Sequence, residues 1–370
     1  MKITLLAENI NKKLPFISHA VSSRSQLTSL LNFLIVAKEK ELYISATDLE
    51  IGIIGKIPAS IEEEGEATVP ARTILELLGN IPSGKVDIHT EGETLFIETP
   101  KTKMQLQTQT TKDFPTLYEK KGAELMQIEK EWLEKELKKV VFAASQDASR
   151  PALSGVLIGK EGTGNVVVAT DGYRLSLKTL AGKAKKKTDG LEEPIIIPSR
   201  ILRELMSLKE EGVVGVFVSP ENNQVVFSQG DTEVVGRLIE AKFPDYGKII
   251  PADFSTRATF ARVEMQTALK TCWVFARETS GIIKLAVGKN KITVSSSTPS
   301  VGHGSVEVEA KVEGEENEIA FNGRYLLELF SNLDEEEVVF EMTGPLNAGV
   351  FKIAGDNSFL HLIMPIRVQE

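Results

Sequence analysis

Three segments of this chain align residue for residue: VPARTILELL from Val69, IPSRILRELM from Ile197 and FNGRYLLELF from Phe321. Arg72, Arg200 and Arg324 coincide, as do Glu76, Glu204 and Glu328, and then Leu77, Leu205 and Leu329. Repetition at such long intervals is the mark of one structural unit copied along a chain. A second landmark precedes each segment. Apolar residues at i, i+4, i+7, i+8 and i+11 define one face of a helix. They are Leu133, Leu137, Val140, Val141 and Ala144 in the middle copy and Met265, Leu269, Cys272, Trp273 and Ala276 in the last. The first copy has Ile10, Leu14, Ile17, Ser18 and Val21, with Ser18 its polar exception.

A proline landmark closes each copy: DFPTL from Asp113, KFPDY from Lys242 and IMPIR from Ile363. Proline cannot donate to a ladder, so it suits a strand end or a domain junction. Between the landmarks lie β-rich runs such as ELYISATDLEIGIIG, NVVVATDGYRLSLKTL and KITVSSSTP, separated by Gly, Asn or Asp turns. Each copy therefore reads as two helices plus about eight strands, an α+β domain with its helices on one face of a sheet. A chain of 370 residues is too long for one ordinary core. The expected division is 1–122, 123–252 and 253–370.

The chain carries 43 Lys plus Arg against 52 Asp plus Glu, a formal charge of -9, which argues against simple electrostatic coating of nucleic acid. Any DNA role requires its positive charge to be segregated on one surface. The basic run Lys183–Lys187, followed by TDGLEE, reads as a solvated loop. No stretch approaches the roughly 20 apolar residues of a membrane helix, and the opening segment has no signal-peptide pattern, so no membrane partner and a cytoplasmic location are expected. Cys272 is the single cysteine; its apolar setting suggests a small buried residue, and it excludes a disulfide framework within the chain.

His19, His89, His303 and His361 show no metal-ligand spacing, so neither metal nor cofactor is expected. GVLIGK at Gly155 falls short of a phosphate-binding loop, having three residues between its glycines and Glu161 after its lysine, and Gly162–Gly164 is an isolated turn signal. ATDGYRL, Ala169 to Leu175, is the most pointed local motif. Asp171 has no nearby histidine or second carboxylate, and the first copy has ATDLE at the same place, so Asp171 reads as structural and the GYRL tail as special to the second copy. Binding is favoured over catalysis. The shared arginine has two readings: an i, i+4 pair with the shared glutamate, worth a few tenths of a kcal/mol, or an external anion such as phosphate. Arg before Glu in a first turn is the weaker order, which favours the anion. Lys12, Lys13, Lys135, Lys138, Lys139 and Lys270 also lie off the apolar stripes, where a solvated face is the plain alternative.

Taken together, MKIT at the start, TVPAR, ATDGYRL, FPDY and the near-terminal MPIR resemble the bacterial DNA polymerase III β subunits, the processivity clamps, over the whole chain. The resemblance implies three DNA-clamp domains per chain and a head-to-tail homodimer closed into a six-domain ring, with helices lining the hole. It implies a noncatalytic tether on double-stranded DNA, retained topologically and without sequence preference. The implied partners are a second copy, the replicative polymerase, the clamp loader, repair polymerases and mismatch-repair proteins.

By position, Arg24 and Gln146 match family residues that touch DNA, Arg72 and Arg200 match basic positions facing the hole, and Lys12 joins them. Pro151 and Ala152 replace the paired tyrosines of some members. A peptide pocket between the middle and last domains is implied at Leu153, Thr170, Gly172, Tyr173, Arg174 and Leu175. Pro244, Lys248 and Ile249 join it from the second proline landmark, as do Tyr325, Leu346 and Leu362, and finally Met364, Pro365, Ile366 and Arg367. Plain core packing is the alternative for some of these apolar residues. Lys248 stands where arginine is common and Ser280 where some members have an aromatic, while Gln369 and Glu370 extend past the usual end. For the ring interface the resemblance implies Met104 and Leu106 in the first domain and Val274 and Phe275 in the third; core packing is an equal alternative for the last two.

Overall fold

The computed structural model describes residues 1–118, 120–161, 164–180, 193–278, 281–298 and 302–367. The run Lys183–Lys187, Ser280, residues 162 and 163, Gln369 and Glu370 lie outside the described residues.

The first third contains strands β1 (Lys2–Leu6), β2 (Asn32–Lys38), β3 (Glu41–Thr47), β4 (Ile51–Pro58), β5 (Ser60–Glu63), β6 (Gly65–Pro70), β7 (Lys85–Glu91), β8 (Thr94–Thr99) and β9 (Thr102–Gln107), with helices α1 (Ala7–Ile17) and α2 (Ala71–Gly79). The middle third has β10 (Ala123–Glu129), helix α3 (Lys130–Val141), the single turn α4 (Pro151–Ser154), β11 (Gly155–Glu161), β12 (Gly164–Thr170), β13 (Arg174–Leu180), β14 (Ile195–Pro198), helix α5 (Ser199–Ser207), β15 (Val213–Ser219), β16 (Gln224–Gln229) and β17 (Thr232–Arg237). The last third has β18 (Thr256–Ala261), helix α6 (Arg262–Ala276), β19 (Ile282–Gly288), β20 (Lys291–Thr298), β21 (Gly302–Gly314), β22 (Asn317–Asn322), helix α7 (Gly323–Asn332), β23 (Glu337–Met342), β24 (Gly349–Ile353) and β25 (Asp356–Ile363). Each third therefore repeats the same order of strand, long helix, strands, short helix and strands.

The helices form where the stripes place them. α6 buries Met265, Ala268, Leu269, Cys272 and Ala276, and α3 is followed by buried Ala144 after Leu133, Leu137, Val140 and Val141. Trp273, expected on the α6 stripe, is half-buried at its edge. The first stripe is cut short, because α1 ends at Ile17 and Ser18 belongs to a 3₁₀ turn. Strand burial follows side-chain period. β15 alternates between faces, whereas β12 is buried almost throughout, as expected of a strand covered on both sides. Cys272 is fully buried, with its Sγ 3.3 Å from the Val294 carbonyl, and burial pushes its thiol up.

The sheets do not stop where the repeats do. One five-stranded sheet, in the order β5-β1-β7-β8-β9, belongs wholly to the first third. An eight-stranded sheet runs β10-β15-β16-β17-β4-β3-β2-β6, joining the first and middle thirds through the antiparallel β17·β4 pair. A twelve-stranded sheet runs β14-β11-β12-β13-β25-β24-β23-β18-β21-β20-β19-β22, joining the middle and last thirds through β13·β25. The described chain accordingly gathers into two compact units, the first built from residues 1–131 and 200–238 and the second from 132–180, 193–199 and 239–367. The middle repeat contributes to both.

Candidate functional site: a peptide groove and a helix surface

Within the second unit, the ATDGYRL motif forms the turn that leads into β13. Thr170 Oγ1 donates to the Arg174 carbonyl at 2.6 Å and accepts from the Gly172 N–H at 3.0 Å. Asp171 Oδ1 accepts from the N–H groups of Tyr173 at 2.9 Å and Arg174 at 3.0 Å, so this carboxylate closes the turn, as an Asx side chain commonly does. Gly172 has φ 93, a conformation that favours glycine. Asp171 is thus structural, as the sequence suggested.

Arg174 lies beneath the turn rather than in the groove, with only 7% of its side chain exposed. Its Nε donates to Asp171 Oδ2 at 3.0 Å and its Nη2 to the Phe142 carbonyl at 3.0 Å, while Nη1 forms a close ion pair with Glu328 Oε2 at 2.6 Å. The guanidinium also lies over the rings of Tyr325 and Phe142. Burial alone would raise the Glu328 carboxyl, but the hydrogen bond from Arg324, the close ion pair with Arg174 and the charges of both arginines outweigh it and hold that carboxyl below its ordinary value.

Leu175 and Leu362 face each other across β13·β25 and are fully buried with Leu157, Val166, Val168, Ile196 and Ala348. They form the floor. Four apolar side chains expected in the pocket reach solvent: Tyr173 is 58% exposed, Ile249 47%, Leu346 60% and Met364 42%. Large apolar groups exposed together usually mark an interaction surface. The chain after β25 is held in place by two backbone bonds, Met364 N–H to the Tyr173 carbonyl and Ile366 N–H to the Ala320 carbonyl, each 2.8 Å. Leu153 and Pro365 are half-buried, while Pro244, Lys248 and Arg367 are exposed, Lys248 pairing with Asp245 at 2.8 Å.

The expected pocket residues therefore divide. Tyr173, Ile249, Leu346 and Met364 present surface; Leu175 and Leu362 are core; Thr170 and Arg174 shape the turn from below. The sequence reading missed Glu328 and Phe142 as supports, and nothing local to either residue signals contact with Arg174. It also missed His361, fully buried against Phe142 with its Nδ1 2.6 Å from Ser176 Oγ and its Nε2 without a hydrogen-bond partner.

The basic residues of the helices are more often paired than their positions suggested. In the first unit Lys12 on α1 and Arg24 in the following loop are exposed and form no ion pair among the described residues. Arg72 is 93% exposed and only 3.4 Å from Glu76, an open i, i+4 pair. Arg200 is different. Its Nη1 lies 2.6 Å from Asp48 Oδ2, and its Nη2 donates to the His19 carbonyl at 3.2 Å, while Glu204 pairs with His19 instead. Lys13 is paired with Glu210. In the second unit Gln146 is exposed in the turn after α3, and Lys135 and Lys270 are exposed on α3 and α6. Lys138 is paired with Asp334, and Lys139, placed on a solvated face by the sequence pattern, is buried: its Nζ contacts Glu335 at 2.5 Å and Glu136 at 3.3 Å. The helical period put Lys139 off the stripe but could not show that acidic residues after α7 cover it.

Two of the open strand edges lie at residues expected in the ring interface or beside them. β9, carrying half-buried Met104 and Leu106, is the last strand of the five-stranded sheet. In the second unit, the Gly302–Glu309 part of β21 pairs with β20, while β18 takes only Ala310–Gly314. Val274 is 49% exposed, whereas the half-buried Phe275 ring packs so closely on Gly304 that a side-chain carbon there would lie 2.6 Å from it. Among the described residues no helix is long and apolar enough to cross a membrane, and no cluster of His, Cys, Asp and Glu is suited to a metal ion.

A thrice-repeated α+β unit whose sheets run on from one repeat into the next defines a DNA-clamp protein. The three domain families of the DNA polymerase III beta subunit match in order: the N-terminal domain over residues 1–118, the central domain over 127–245 and the C-terminal domain over 247–367. The beta sliding clamp of Pseudomonas aeruginosa is 26% identical over 372 residues covering all of both chains, and that of Staphylococcus aureus 27% identical over 359 residues covering 94% of each. Crystal structures of the DNA polymerase sliding clamp from Bacillus subtilis (TM-score 0.94) and of the DNA polymerase III beta subunit from Thermotoga maritima (TM-score 0.88) are each 26% identical, with full coverage of both chains. The chain belongs to the DNA polymerase III beta subunit family, the sliding clamps, and is a processivity factor without catalytic activity of its own.

Proposed function

We propose that two copies join head to tail through the β9 and β21 edges into a ring around double-stranded DNA, and that partner proteins dock by a short extended peptide in the Tyr173–Met364 groove. The domain division 1–122, 123–252 and 253–370 belongs to this reading, as does a cytoplasmic place of work. Met104 and Leu106 meet Val274 across the joint, with Phe275 bracing Gly304 from within. Lys12, Arg24, Arg72 and Gln146 face the duplex, and Arg200 contributes only as far as Asp48 releases it. Because so many helix cations already have partners, attraction to phosphate is weak and retention is topological, which suits sliding.

The observation that carries the docking reading is the exposure of Tyr173 and Met364, bonded to each other beside the buried Leu175–Leu362 pair, together with the exposure of Ile249 and Leu346. Such a groove suits a Leu or Phe anchor. The partners are the replicative polymerase, the clamp loader, repair polymerases and mismatch-repair proteins, which share the groove by competition. The ring is tested by loading the protein on nicked circular DNA and then linearising it. Loss from the linear form but not from the circle is expected; equal retention on both rejects topological binding. A solution mass of one chain at micromolar concentration rejects the dimer.

A further inference from the structure

The turn that builds the peptide groove has a twin in the first unit. Thr47 Oγ1 donates to the Ile51 carbonyl at 2.9 Å and accepts from the Leu49 N–H at 3.0 Å; Asp48 Oδ1 accepts from the N–H groups of Glu50 at 3.1 Å and Ile51 at 3.0 Å. These are the bonds made by Thr170 and Asp171, atom for atom. The strand pairing agrees, since Ile51 lies opposite Gly236 as Arg174 lies opposite Ile363. Arg237 N–H donates to the Glu50 carbonyl at 3.3 Å, as Met364 N–H does to that of Tyr173. Leu49 therefore occupies the place of Gly172, Glu50 that of Tyr173 and Arg237 that of Met364. Pro115 and Leu117 of the first proline landmark stand where Pro244 and Tyr246 stand in the second.

Beside this turn is an open cavity of about 170 Å³, with Leu49, Pro115 and Leu117 as an apolar part and Glu50, Gln224 and Arg237 among its polar lining. A cavity of ~150 Å³ holds a benzene ring, so there is room for one aliphatic side chain against the apolar part. Leu49 stands at φ 78 with 54% exposure. A leucine in the left-handed region is strained, and such strain clusters at binding sites. Arg237 is exposed and has no ion pair among the described residues. We infer that this is a second peptide groove, taking an extended segment that presents one aliphatic side chain to the cavity and an acidic one to Arg237. Its chemistry differs from the other groove where Glu50 and Arg237 replace Tyr173 and Met364, so the two select different segments. Only the comparison between grooves rests on the docking reading above; the cavity, Leu49 and Arg237 do not.

The full chain, with labelled leucine methyl groups, is titrated with acetyl-Gly-Leu-Asp-Gly-amide and with the same peptide carrying Lys for Asp. Saturable shifts of the Leu49 and Leu117 methyls are expected with the Asp peptide, with affinity about tenfold weaker for the Lys peptide. Arg237→Glu, an exposed change, should invert that preference. Met364→Asp should leave these shifts intact while altering any response at Leu346, so failure of one groove is read separately from failure of the other. No saturable shift at Leu49 and Leu117 up to millimolar peptide, shifts confined to Leu346, or indifference to Arg237→Glu would overturn the inference.

Discussion

Glu328 holds Arg174 from below: their ion pair closes at 2.6 Å, and the second carboxylate oxygen accepts from Arg324 Nε at 2.8 Å. Arg174 in turn grips Asp171, whose other oxygen orders the Gly172–Tyr173 turn at the groove. Replacing Glu328 by Gln should weaken the binding of a groove peptide without abolishing folding, by about 2 kcal/mol, the scale of a hydrogen bond to a charged group. Because the folded carboxyl is held below its ordinary 4.5, its stabilisation is present above that value and is lost as pH falls through the lower folded value. Fluorescence anisotropy titration at pH 7 measures the first effect, and urea unfolding of both proteins across a series of falling pH measures the second. Unchanged affinity in the variant would separate Glu328 from the groove.

The buried Lys139 is countered by Glu335 and Glu136, and Glu136 is shared with Lys178, which also holds Asp356 at 2.8 Å. Burial works against the Lys139 charge, yet the two carboxylates outweigh it and raise its affinity for a proton. Lys139→Met should destabilise the second unit by about 3 kcal/mol at neutral pH, because it strands carboxylates in a half-buried site. The deficit should shrink in acid, as Glu335 takes up its proton. Urea unfolding followed by tryptophan fluorescence, with each transition fitted separately, compares the two conditions.

His361 lies in the core beside Arg174, and burial first, then that positive charge, pushes its imidazole well below the ordinary 6.5. The folded protein keeps it neutral while the unfolded chain protonates it. Its influence on stability is therefore neutral above 6.5 and increasingly adverse as pH falls from there toward the lower folded value. His361→Phe should flatten stability between pH 7 and pH 5, on top of a pH-independent loss of about 1–3 kcal/mol, because the Phe142 stack is kept while the buried Ser176 Oγ loses its imidazole partner. Thermal unfolding across that range checks the slope.

At the rim of the proposed groove, Leu346→Asp and Met364→Asp each put a charge in place of an exposed apolar side chain. Each should reduce groove-peptide affinity at least tenfold, about 1.4 kcal/mol, while shifting thermal unfolding little. Isothermal titration with the peptide and a melting curve on the same sample separate binding from folding.

The helices were legible because their information is local: Leu133 to Ala144 and Met265 to Ala276 announce one buried face each. The turn at Asp171 was legible for the same reason, since the N–H groups that donate to it lie two and three residues away. What escaped was long-range. Arg200 reads as a free cation until Asp48 arrives from a distant turn, Lys139 until Glu335 covers it, and Arg174 as a pocket residue until Glu328 draws it down. The strand pairing of β17 with β4 and of β13 with β25 was equally hidden, because period-two alternation shows which face a residue takes and not which neighbour it meets.

Those two pairings make the repeats poor candidates for separate life. A fragment of residues 123–252 would leave the backbone donors and acceptors of β17 and β13 bare along strands now covered by β4 and β25. Bare edges of that length invite foreign strands. The boundaries visible in the sequence are thus not places to cut: the molecule is stitched across them, and its smallest dependable piece is larger than its repeating unit.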